Sequence, residues 1–189
     1  MGASDATLNI FHNSIHLVRA DVDYWGLEPS NCFGIGFTET MYHGQAVILN
    51  NIIKIDQPEG SAICVPGSVA EIYSDQNVFS LIEGASLGYF NGEVIPTLDQ
   101  WQETTGWDAT SRMGDPVKSA ARGYGAWIAP NARKSNLRFD KAPPADLYVR
   151  THTVESDDID GTYRPGRLTT AGAHNVLQEA AETNAWIAE

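Results

Sequence analysis

Carboxylates, histidines and a few cations are the groups in this chain that could do chemistry. Residues 8–82 hold two basic side chains, Arg19 and Lys54. Elimination from a uronate needs a base for the proton beside the carboxylate and a cation to neutralise that carboxylate. Arg19 and Lys54 are the candidates for the cation. Both fall at or near the ends of strand-like runs, where a solvated charge is the ordinary role. Hydrolysis of a glycoside needs two carboxyl groups facing one groove. Asp21 and Asp23 alternate along one strand-like stretch, and Asp56 and Glu59 share a turn. With 24 acidic residues in the chain, such pairs also arise by chance. The histidines are His12, His16, His43, His152 and His174, and a strand would put His12 and His16 on one face. Asp157, Asp158 and Asp160 could hold calcium with backbone carbonyls, but the spacing is not that of an EF-hand loop. HExxH, GxSxG and Cys/His metal spacings are absent. Gly34-Ile35-Gly36 lacks the third glycine of a dinucleotide fingerprint, and Gly123-Tyr124-Gly125 reads as a loop. Tyr24, Trp25, Tyr42 and Tyr89 could stack on sugar rings, although packing is their commoner use. No catalytic, cofactor-binding or metal-binding residue is assigned, and no cofactor is expected.

Strands must position these groups. The chain has 189 residues, enough for one domain or a small solenoid. With 42% hydrophobic and 19% charged residues, it has the composition of a folded protein. Short apolar runs lie at 8–18, 32–37, 46–55, 61–65 and 69–79. Between them stand Pro29-Ser30-Asn31, His43-Gly44, Gln57-Pro58-Glu59-Gly60 and Pro66-Gly67-Ser68. Such runs bounded by turn formers read as strands. Residues 83–92, with Gly84, Gly88 and Gly92, read as a loop. Thr97 and Gln100 have capping-box spacing after Pro96, and Gly106 supplies a stop, so a short helix lies between. About two turns are marginal alone, so Leu98 and Trp101, which share a face, must dock it. Residues 112–150 are mixed, with Asp115-Pro116 and Ala142-Pro143-Pro144 as breakers. Asp157-Asp158-Ile159-Asp160-Gly161 is an acidic turn, and 174–188 is helical in composition.

An Asn followed by apolar or β-branched residues recurs as Asn13-Ser14-Ile15, Asn51-Ile52-Ile53 and Asn77-Val78-Phe79. The unequal spacing suits a solenoid whose insertions bulge at turns. Asn tolerates the left-handed bend, and its amide can bond the equivalent Asn one coil away, forming a ladder. Three unrelated turn asparagines in a sandwich are the alternative. Cys32 and Cys64 read as buried small side chains in strands, or as a bridge between neighbouring coils.

The chain carries 24 acidic and 12 basic residues, net −12. That is the wrong sign for nucleic acid or an anionic membrane. No apolar run approaches the roughly 20 residues of a spanning helix. The first seven residues have neither the basic nor the apolar part of a signal peptide.

Taken in order, several segments resemble the right-handed parallel β-helix repeat family, relatives of pectate and alginate lyases. Ile10-Phe11-His12-Asn13-Ser14-Ile15 is similar to that family's Asn-Thr-Ile strand signature. Val47-Ile48-Leu49-Asn50-Asn51-Ile52-Ile53 looks like the same element further on. Ser74-Asp75-Gln76-Asn77-Val78-Phe79 resembles Ser-Asp-Tyr-Asn-Val-Phe, with Gln76 in place of Tyr. Phe90-Asn91-Gly92, Leu98-Asp99-Gln100-Trp101-Gln102, Thr105-Gly106-Trp107-Asp108-Ala109-Thr110-Ser111 and Gly114-Asp115-Pro116 resemble the helix that follows. Asp158-Ile159-Asp160-Gly161-Thr162-Tyr163-Arg164-Pro165 resembles a closing Asp-Ile-Asp-Gly-Thr-x-Arg-Pro, and Ala171-Gly172-Ala173-His174 stands where Asp-Ile-Gly-Ala is common. The likeness covers residues 8–175 and matches the C-terminal end of the family pattern. The middle coils that carry the family's chemistry have no counterpart here.

The resemblance implies an all-β fold: a short right-handed parallel β-helix with a short docked helix and a C-terminal α-helix. Coils are expected over 1–172 and a helical cap or tail over 173–189. A β-helix has two open ends that must be covered. The helix at 176–187 could cover one. The residues before the first strand are too few to cap the other, so either upstream coils are missing and the chain is a fragment, or another chain covers the end; the second option predicts a homo-oligomer, commonly a trimer, or a larger assembly. The expected function is a non-enzymatic structural or binding module, virion-associated, such as a phage decoration or fibre protein. The alternative is the C-terminal portion of a secreted polysaccharide lyase or glycoside hydrolase. A stand-alone carbohydrate-binding module is a third option. Polysaccharide is a possible partner, nucleic acid and membrane are not expected, and a virion or extracellular location is favoured.

Overall fold

Strands of about five residues build this molecule, and several are followed by a left-handed residue, His12, Asn50, Gln76 and Asn91 among them. The computed structural model describes residues 7–18, 32–37, 44–67, 71–117, 137–139, 141–150, 157–158, 160–161, 163 and 168–173. The first three strands are β1 (Thr7–Phe11), β2 (Ser14–Val18) and β3 (Phe33–Gly36). Next come β4 (Gln45–Leu49), β5 (Ile52–Asp56) and β6 (Ser61–Val65). Then follow β7 (Glu71–Asp75), β8 (Val78–Leu81) and β9 (Ser86–Phe90). Like members pair in parallel, so the chain visits three sheets in the same order three times. Sheet A is β1-β4-β7, sheet B contains β2-β5-β8 and sheet C contains β3-β6-β9. Among the described residues the fold is β-rich, with parallel sheets and one α-helix.

The runs 8–18 and 46–55 each split into two strands at a left-handed residue. His12 (φ 51°), Asn50 (φ 59°) and Gln76 (φ 56°) make the corner between sheets A and B in the three circuits. The sequence motif placed the bend on Asn13, Asn51 and Asn77. The bend instead falls one residue earlier, which frees each of these asparagines to point its amide along the stack. Asn13 Nδ2 and Asn51 Nδ2 each donate to the Oδ1 one circuit on, at 3.1 and 3.0 Å. The backbone N–H of Asn13 and of Asn51 reaches the same oxygens at 2.8 and 3.0 Å. This is the asparagine ladder. Its spacings of 38 and 26 residues are the register offsets between circuits, Thr7 opposite Gln45 and Gln45 opposite Glu71.

Inward side chains alternate along each strand and form one core, including Ile48, Ile53, Ile55, Ile63, Phe79 and Leu87. Residues 83–92, expected as a loop, are largely strand β9, which turns back into antiparallel β10 (Glu93–Ile95). Gly88 is strand here because a Cβ at that position would collide with the ring of Trp101. Trp101 lies on α1 (Leu98–Thr105). As the sequence implied, the Thr97 side chain caps the Gln100 N–H and Gly106 ends the helix at φ 73°. Trp101 is fully buried and Leu98 packs beside it, with Trp107 and Phe90 edge-on to the indole. The helix thereby closes the apolar interior beyond the third circuit. Strand β11 (Arg112–Met113) then adds to sheet B beside β8.

A second, smaller core covers the outer face of sheet B. There Ile52 and Val78 meet Phe139, Leu147, Val149 and Ala171. Leu147 ends a 3-10 turn (Ala145–Leu147), Val149 lies in β12 (Tyr148–Arg150), Ala171 follows β13 (Leu168–Thr170), which is antiparallel to β12, and Phe139 comes from residues 137–139. Gly172 donates to the Asn50 carbonyl at 2.7 Å and Ala173 to Ser14 Oγ at 3.0 Å, tying this layer to two circuits. Cys32 and Cys64 are free thiols. Gly36, not Cys32, lies opposite Cys64 in the sheet, so no bridge can form across this pair of strands. Burial pushes the Cys64 thiol up to about 11. The helix expected at 176–187 lies outside the described residues.

Candidate functional site

Register places His16, Lys54 and Ser80 in one row on the outer face of sheet B. Ile15, Ile53 and Phe79, their neighbours along the strands, take the inner face. Asp56 joins the row from the end of β5, and Asp115 arrives from the segment after β11. Lys54 Nζ lies 3.0 Å from Asp56 Oδ1, 3.6 Å from Asp115 Oδ1 and 3.3 Å from Ser80 Oγ. His16 Nε2 lies 2.7 Å from Asp56 Oδ2. The His16 and Lys54 side chains are nearly enclosed, whereas the two carboxylates keep about a quarter of their surface in water.

This geometry limits the chemistry. An ammonium has three N–H donors; Asp56 Oδ1 and Ser80 Oγ lie within hydrogen-bond reach of Lys54, and Asp115 Oδ1 is a more distant ion-pair partner. To neutralise a substrate carboxylate, Lys54 would have to release one of its own. Both oxygens of Asp56 are engaged. The cluster therefore fastens the 114–117 segment to sheet B. Removing one member of such an enclosed network costs several kcal/mol, roughly 3–5.

Lys54 was expected at a strand end in water. It is instead central in β5 and 5% exposed, because the second layer covers that face. Its proposed partner Arg19 lies outside the described residues, as do Asp21, Asp23, Tyr24, Trp25, Tyr42, His43, Gly123-Tyr124-Gly125, His152 and His174. Among the described residues no bond joins Asp56 to Glu59, which is exposed at a left-handed turn. His12 and His16 do not share a strand face, since the corner at His12 separates them. His12 sits buried with Nε2 3.1 Å from Asn50 Nδ2. Tyr89 is half-buried in β9. In the acidic turn, Asp160 takes the Arg138 guanidinium through two 2.8 Å bonds, and Asp158 accepts the Asp160 N–H. This pairing pushes the already high Arg138 value further up. Among the described residues no three His, Cys, Asp or Glu are grouped to hold a metal ion, and no helix is long and apolar enough to cross a membrane.

Asp108 carries a role that sequence reasoning missed. It ends the asparagine ladder in the interior, with no exposed surface. Its Oδ1 accepts from Asn77 Nδ2 at 2.9 Å and Ser111 Oγ at 2.6 Å, and its Oδ2 from Trp101 Nε1 at 3.0 Å. Burial raises its pKa above the ordinary value, against the lowering effect of the Ser111, Asn77, Trp101 and Ser74 bonds. The signal was present as Trp-x₆-Asp on either side of the Gly106 stop, but no spacing rule links them.

No family model, curated protein or solved structure matches this chain. What the chain does must be argued from its own geometry.

Proposed function

We propose that the three circuits are coils of a short right-handed parallel β-helix, and that the chain is a non-enzymatic structural or binding module. It works within an assembly, most naturally as a virion-associated decoration or fibre protein. The observation that carries this reading is the use of the polar groups. Asn13, Asn51, Asn77 and Asp108 join one circuit to the next, and Lys54 with Asp56 and Asp115 joins sheet B to its cover. In both clusters the polar groups are spent chiefly on one another. In the first circuit Ile10, Ile15 and Leu17, in contrast, remain partly in contact with water, while Ile35 and Phe37 are buried. A surface of that kind fits a partner better than it fits a substrate.

One observation favours an enzyme: Asp56 and Asp115 approach the same ammonium, two carboxylates in one place. With the family resemblance, this supports the C-terminal portion of a polysaccharide lyase or hydrolase as the second reading. Light scattering on the eluting chain, with an assay for unsaturated or reducing products from uronate polymers, separates the two. The structural reading expects an assembly larger than 20.6 kDa and no product. A monomer that cleaves polymer refutes it.

A further inference from the structure

One asparagine stands apart from the ladder. Asn91 is the only asparagine of the chain that is followed by glycine. With Gly92 it forms the tip of the hairpin between β9 and β10, where Phe90 pairs with Glu93. Both tip residues are left-handed, Asn91 at φ 51° and Gly92 at φ 93°, as a two-residue hairpin turn requires. Both are exposed, and a Cβ on Gly92 would meet nothing within 4 Å. The carboxamides of Asn13, Asn51 and Asn77 are held by hydrogen bonds, and that of Asn50 bonds His12. Among the described residues the Asn91 carboxamide makes no such bond. Its backbone N–H is tied instead, to the Val65 carbonyl at 3.1 Å. Asn9 is exposed too, but it lies inside paired β1 and is followed by branched Ile10.

We propose that Asn91 is a site of spontaneous covalent modification, deamidation through a cyclic imide, and that the isoaspartyl product unpins β10. The Gly92 backbone nitrogen attacks Asn91 Cγ. The new N–Cγ bond closes a ring and the Cγ–Nδ2 bond breaks. Ammonia leaves, carrying the proton that the Gly92 nitrogen gives up. Water then opens the ring at one of its two carbonyls. Opening at the side-chain carbonyl leaves aspartate at position 91. Opening at the backbone carbonyl leaves isoaspartate, whose main chain runs through Cβ and Cγ and is one methylene longer. Water is the one co-reactant. Glycine permits the attack because no Cβ hinders the approach of its nitrogen. Ring closure rotates the Asn91 carbonyl away from the left-handed conformation, so the turn must open first. Opening is local. β10 is three residues long and lies at the edge of sheet C, with β9 as its one partner among the described strands. Short edge elements with few neighbours open at far lower free energy than the core. A two-residue turn fixes the pairing of the strands on either side of it. The extra methylene therefore displaces Glu93 from Phe90, and the new carboxylate stands beside exposed Glu93.

The test incubates the folded whole chain at mildly alkaline pH and maps its asparagines by mass spectrometry, beside a synthetic peptide of residues 86–97. Asn91 is expected to convert ahead of Asn9, Asn13, Asn50, Asn51 and Asn77, and about tenfold or more slowly than in the peptide. Asn91→Gly keeps a residue suited to the left-handed position and is expected to give no acidic product from this segment. The isoaspartyl form, separated by its charge and identified with an isoaspartyl methyltransferase, is expected to lose hydrogen-exchange protection at residues 93–95. Asn91→Asp, with the charge but not the methylene, is expected to keep that protection. Earlier conversion at Asn9 or Asn13 would overturn the site. So would an intact Asn91 after an incubation roughly a hundredfold longer than the peptide needs. Equal protection at 93–95 in the isoaspartyl and unmodified chains would overturn the unpinning.

Discussion

At one end of the three circuits Trp101 fills the space over Gly88 with no surface in water, and at the other Leu8 keeps 41% of its surface exposed. The strands at the two ends are alike in length, but β8 and β9 have β11 and β10 beside them as well. What differs is the neighbour. Ile15 and Ile53 are the same residue in register across sheet B, and only Ile53 is fully enclosed. Enclosing a large aliphatic side chain contributes about 1.5–3 kcal/mol. The same sequence pattern thus stabilises strongly in the second circuit and weakly in the first. The polar ladder follows the same gradient, from exposed Asn13 to Asp108, which has no exposed surface.

The largest expected effect lies at the closed end. Trp101→Ala removes the indole that plugs the interior, and a loss of about 3–5 kcal/mol is expected in chemical denaturation. A loss near zero would mean that α1 does not close the stack. Asp108→Ala is expected to cost about 2–4 kcal/mol, because Asn77, Ser111 and Trp101 lose their acceptor in an enclosed site. The residue also holds a left-handed backbone at φ 57° that Asp tolerates better than Ala.

Asp108 adds a pH dependence with a definite sign. Its folded pKa lies above the ordinary 3.8, so the folded chain holds this proton more tightly than the unfolded chain. Its contribution is complete below 3.8 and is lost as pH rises through the raised folded value. The stability difference between wild type and Asp108→Asn should therefore shrink as pH rises across that window. Parallel pH profiles for the two proteins would contradict the assignment. The smallest effects lie toward the first circuit. Asn51→Ala should cost about 1–3 kcal/mol, and Asn13→Ala under about 0.5 kcal/mol in dilute protein. Equal costs at the two positions would erase the gradient.

Much of the strand pattern was legible because it is local. Turn formers bounded the runs, and Thr97 with Gly106 fixed the ends of α1, since caps depend on neighbours a few residues away. The recurring asparagines pointed to the ladder, although the left-handed residue proved to be the one before each of them. Residues 83–92 were misjudged because Gly88 breaks the strand signal locally and makes sense only against Trp101, which comes later in the chain.

The sequence by itself determined the short strands, the docked helix and the acidic balance, all set by residue type and near spacing. Tertiary structure alone decided what each polar residue is for. Lys54 read as a solvated charge until the second layer was seen to enclose it between Asp56 and Asp115. Asp108 had no distinguishing motif until the fold brought Asn77, Ser111 and Trp101 onto its two oxygens. Asn77 meets Asp108 across 31 residues, and Asp115 reaches Lys54 from the segment after β11; no local pattern records such meetings.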